Sequence, residues 1–130
     1  MQTLALQIPD ALYDRLCQTA RAVQQPIEQI VLRALQLGAP PGLDDIPIEF
    51  QESLAELDRF EDRELFAITG MKQSPQEFSR YETLLSCGDR TNAEQQELDN
   101  LCFEADLLML RKAHAAALLR WRGHTVSLAA

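Results

Sequence analysis

Residues 1–10 read MQTLALQIPD, with Leu4, Leu6 and Ile8 at every second position, followed by Pro9 and Asp10. A period of two predicts a short strand from Leu4 to Ile8, with one apolar and one polar face. The period then changes. In PDALYDRLCQTARAVQQ (9–25), Leu12, Leu16, Ala20 and Val23 fall at helical spacing, Pro9 suits a first-turn position, and Asp10 complements the N-terminal dipole. PIEQIVLRALQLG (26–38) sets Ile27, Ile30, Val31, Ala34 and Leu35 at i, i+3, i+4, i+7 and i+8, opens on Pro26 and closes at Gly38. The expected order is one strand and two amphipathic helices.

Such a unit is incomplete alone, because a single strand leaves its backbone groups unpaired and the two apolar stripes lack a third layer. A second copy would supply both, so the spacing predicts a homodimer whose core takes Leu4, Leu6, Ile8, Leu12, Leu16, Ile30 and Val31. This pattern, carried by TLALQIPDALYDRL (3–16) and PIEQIVLRAL (26–35), resembles the ribbon-helix-helix module of Arc and MetJ type repressors over residues 2–37. The resemblance implies that the outward strand residues Thr3, Ala5 and Gln7 enter the major groove of double-stranded DNA, with amides at the start of the second helix on a phosphate. Arg15, Arg21 and Arg33 are the candidate phosphate contacts. The strand itself carries no arginine or lysine, and Glu28 stands in the second helix's first turn.

Charge divides the chain. Residues 1–37 hold three acids and three arginines, residues 38–110 hold seventeen acids against five bases, and residues 111–130 hold four bases and no acid. An acidic middle is repelled by nucleic acid and suits either plain solvation or a basic protein partner. GAPPGLDDIP (38–47) packs two glycines and three prolines into ten residues, which marks a linker between a dimerisation module at 1–37 and a helical region at 48–124, with a tail at 125–130.

The second half reads as helices. IEFQESLAELDRFEDRELFAIT (48–69) suggests two short helices parted near Glu61 and Asp62. SPQE (74–77) is a capping-box pattern opening a helix with Phe78, Tyr81, Leu84 and Leu85, and TNAE (91–94) opens a helix of about thirty residues that ends at Gly123. These last two form a helical hairpin. On the long helix Leu98, Leu101, Cys102, Ala105, Leu108, Met109, Lys112, Ala116 and Leu119 lie near one face, to be covered by the short helices or by a second chain. LLMLRKAHAAALLRWRGH (107–124) resembles the helical C-terminal region of small cyanobacterial-type proteins, a resemblance that implies no activity. The expected fold is mostly α: a ribbon-helix-helix followed by an α-helical region with a long C-terminal hairpin.

No catalytic constellation emerges. His114 and His124 are ten apart, Ser, His and Asp do not cluster, no glycine-rich loop joins a strand to a helix, and Glu104 and Asp106 point to different helix faces. Neither enzyme activity, a metal nor another cofactor is expected. Cys17, Cys87 and Cys102 are scattered and odd in number, against a disulfide framework. No apolar run nears the roughly 18–20 residues of a membrane span and no export signal opens the chain, so a cytoplasmic protein without membrane contact is expected. The basic end, with Trp121 between Arg120 and Arg122, either stacks on a partner or complements the helix C-terminal dipole. Two functions follow as expectations. One is a DNA-binding transcriptional regulator of antitoxin type, whose acidic half holds a basic toxin. The other is a dimeric adaptor that uses the front module only for pairing.

Overall fold

The computed structural model describes residues 1–127. Of the expected 125–130 tail, the last three positions lie outside the described residues. Among the described residues, regular structure comprises six α-helices and one 3-10 turn: α1 Asp10–Val23, α2 Ile27–Gly38, α3 Ile48–Ala55, the turn Glu56–Arg59, α4 Asp62–Thr69, α5 Pro75–Ser86 and α6 Asn92–Trp121. The chain divides into two compact units, Met1–Ala39 and Pro40–Ala130.

The first unit corrects the opening expectation. No strand occurs among the described residues, and residues 1–9 carry no regular structure. A ribbon-helix-helix module needs a strand, so both the resemblance to that family and the composite fold class are overturned in favour of an all-helical chain. The physical reason is that alternation sorts side chains to two faces but does not itself supply ladder hydrogen bonds. Leu4 and Leu6 accordingly remain 84% and 68% exposed.

The two front helices form as their spacing predicts, each proline sitting one position earlier than expected, at the N-cap. The Pro9 carbonyl accepts from the Tyr13 amide at 2.9 Å and the Pro26 carbonyl from the Gln29 amide at 3.1 Å. At the end of α1, Gln24 adopts a left-handed conformation, φ 54° and ψ 46°, and the Gln25 amide reaches back to the Ala20 carbonyl at 3.0 Å. That pair of features is a Schellman closure. It turns the chain sharply into α2.

In the second unit the short helices fold back over the long one. Phe50 and Leu54 of α3, Leu57 of the turn, and Leu65 and Ile68 of α4 pack with Ala115, Leu118 and Leu119 of α6 into one core cluster. Leu43 and Ile46, within the 38–47 stretch, pack against it, and the Gln51 side-chain amide donates to both of their carbonyls. Toward its N-terminus α6 meets α5, where Leu84 and Leu98 are buried. Because different neighbours cover its two halves, α6 buries Leu98, Ala116 and Leu119 from the expected face, adds His114, Ala115 and Leu118, and leaves Met109 62% exposed.

Side-chain caps open the last two helices. Thr91 and Glu94 form the complete reciprocal box on α6, whereas at α5 Ser74 accepts from the Glu77 amide at 3.3 Å. Arg90 closes the other end of α5 by donating to the carbonyls of Leu84 and Cys87. Helix α6 stops at Gly123, whose φ of 101° only glycine adopts readily, with the His124 amide bonded back to the Leu119 carbonyl.

Candidate interaction surfaces

The basic end of α6 is engaged within its own unit. Arg111 donates to the Ser53 carbonyl and hydroxyl at 3.0 and 2.9 Å, and the buried His114 meets Asp58 at 3.0 Å through Nε2. Arg122 donates to the Phe60 carbonyl at 2.9 Å and to Asp62 at 2.8 Å, while His124 reaches the other oxygen of Asp62 at 2.7 Å. With its partner carboxylate ionised, each imidazole donates from Nε2. The Arg122 guanidinium, and after it His124, hold the Asp62 carboxyl below its ordinary range. These four side chains clamp α6 onto the corner formed by α3, the 3-10 turn and α4. The two histidines are thus ten residues apart in sequence and divided between two separate aspartates.

A second pairing ties the hairpin. Arg80 of α5 grips Glu97 of α6 with two bonds of 2.8 and 2.9 Å, which lowers the Glu97 carboxyl and raises the arginine.

Between α3 and α6 lies an open groove of about 450 Å³. Glu49 and Glu52 line it from α3, one turn apart on the same face, and Glu56 and Arg59 line it from the 3-10 turn that follows. Phe103 and Leu107 line it from α6, and the Phe103 ring stacks on Phe50 with centroids 4.9 Å apart and planes 22° apart. The sequence singled out neither half, and nothing local indicated that residues fifty apart would face one another.

The first unit offers a different surface. Only Ala20 and Ile30 of its residues are buried; Ile8, Leu16, Ile27 and Val31 are half-buried, and Leu4, Leu6, Leu12, Leu32, Leu35 and Leu37 are exposed. Of the expected dimer core, therefore, Ile30 is buried within the chain and the other six residues retain open surface. The expected DNA-reading residues Thr3, Ala5 and Gln7 lie exposed in the segment before α1. Arg15 and Arg21 are exposed on α1, and Arg33 on α2. The structure brings none of these six into a shared hydrogen bond or ion pair.

Among the described residues no group of three or more His, Cys, Asp or Glu is arranged to hold a metal, and no helix is long and apolar enough to cross a membrane. Cys17, Cys87 and Cys102 are free, half-buried thiols. Comparison of the chain with protein-family models, with curated proteins and with solved structures gives no match.

Proposed function

We propose that the chain is a non-catalytic protein-interaction adaptor, which pairs with a second copy through residues 1–39 and offers its acidic helical unit to a basic protein partner. The observation that carries this reading is the exposure of the front hairpin. A unit of fewer than about forty residues that buries two side chains lacks a core of its own, and exposed leucines on both helices of such a unit, Leu12 on one and Leu32, Leu35 and Leu37 on the other, support an interface. A second copy suits that surface because residues 1–37 carry equal numbers of acids and bases, so self-association meets no net charge repulsion. Two hairpins meeting face to face would make a four-helix arrangement with twofold symmetry.

DNA regulation no longer has a ribbon to present Thr3, Ala5 and Gln7, and the acidic second unit opposes a polyanion. Light scattering of the intact chain tests the proposal. A dimer at micromolar concentration that becomes a monomer in Leu12→Lys/Leu35→Lys, with helical content retained, is the expected result. A monomeric wild type, or a gel shift on the gene's own upstream DNA that persists above physiological salt, would overturn it.

A further inference from the structure

The groove between α3 and α6 brings together two surfaces of opposite character. Its floor is apolar: Phe103 is 43% exposed, with its ring held flat against buried Phe50, and Leu107 stands one turn further along α6. Its rim carries Glu49, Glu52 and Glu56 against one lining cation, Arg59, and is net anionic; among the described residues Glu56 alone of the three is in an ion pair, with Arg111 at 3.9 Å. An aromatic face next to unpaired carboxylates is complementary to a cation on an alkyl stem, since ring and carboxylates attract the charge while the floor covers the methylenes. A purely apolar segment laid there would desolvate Glu49 and Glu52 without giving them partners. Acidic segments and nucleic acid are repelled outright.

We propose that this groove docks a basic amphipathic helix of a partner protein, with apolar residues standing on Phe103 and Leu107 and lysines or arginines one helical turn apart pairing with Glu49 and Glu52. The proposal rests on the adaptor reading and adds where the partner sits and what its docking face carries. The spacing follows from the rim, because Glu49 and Glu52 are themselves one turn apart on α3.

The test uses the intact chain and a fluorescently labelled synthetic helix of repeated Lys-Leu-Leu-Lys blocks, titrated by anisotropy at low salt. Saturable binding of one peptide per chain is expected, with affinity about tenfold or more weaker in Glu49→Gln/Glu52→Gln and unchanged in Glu64→Gln/Glu82→Gln, which removes the same charge elsewhere on the unit. Circular dichroism of each variant confirms that the helices persist. Equal losses in both double variants, no loss in the first, or equal binding of the peptide with glutamate in place of lysine would overturn the proposal. Light scattering of the same samples separates the two ideas: a dimer lacking groove-dependent binding sinks only the docking site, and a monomer that still binds sinks only the pairing.

Discussion

Gln24 is the only non-glycine residue with positive φ among the described residues, and it sits where helix hairpins commonly place glycine. The left-handed region costs an ordinary residue about 1–2 kcal/mol, part of which glycine returns as greater freedom in the unfolded chain. Gln24→Gly should therefore stabilise the front hairpin by about 0.5–1 kcal/mol. Gln24→Val should destabilise it by more, because a β-branched side chain is the poorest occupant of that region. Thermal melts of the two variants against wild type check the ordering; a glycine variant that melts below wild type would mean that the turn is set by something other than its backbone angles.

At the level of elements, α6 is held by charge at both ends of its packed face. Arg80 to Glu97 fixes it to α5, and Arg122 with His124 on Asp62 fixes it to α4. Asp62 and Glu97 are both depressed in the folded protein, so the unfolded chain takes up protons first as the pH falls. Their stabilisation is complete above the unfolded carboxylate range near pH 4 and is lost as the pH drops through the folded values. Arg80–Glu97 is solvent-exposed and Arg122–Asp62 partly so, so the expected effect is modest and weakens with salt. Urea midpoints should decline on acidification from about pH 6 to pH 3, and Asp62→Asn should show a shallower decline than wild type. Identical slopes would place the acid sensitivity elsewhere among the acids of this unit.

For the whole molecule, the two units differ in what stabilises them. The second contains Leu54, Leu57, Leu65 and Leu119 with no exposed surface, whereas the first leaves Leu12, Leu32, Leu35 and Leu37 exposed. Leu119→Ala should cost about 2–5 kcal/mol in the second unit without altering the mass in solution. The front hairpin's transition should instead rise with protein concentration, as expected where folding is coupled to pairing. A concentration-independent melt of both units would contradict the pairing proposal while leaving the core assignment intact.

Local pattern determined the helices. Apolar spacing, Thr91 with Glu94, and the stop at Gly123 made α6 readable from residue types alone, because these devices act within one or two turns of backbone. The break near Glu61 and the turn between α1 and α2 were legible for the same reason. The opening alternation was not decisive, since a strand exists only through a neighbouring strand's hydrogen bonds and there is no strand among the described residues to pair with residues 4–8. The candidate groove and the α6 clamp were also beyond local reading. Arg111 with Ser53, His114 with Asp58 and Arg122 with Asp62 join positions more than fifty residues apart, and no short-range spacing encodes such meetings. Tertiary packing decided them by laying α3 and α4 back along α6, where burying eight apolar side chains in one cluster outweighs the cost of ordering the chain between them.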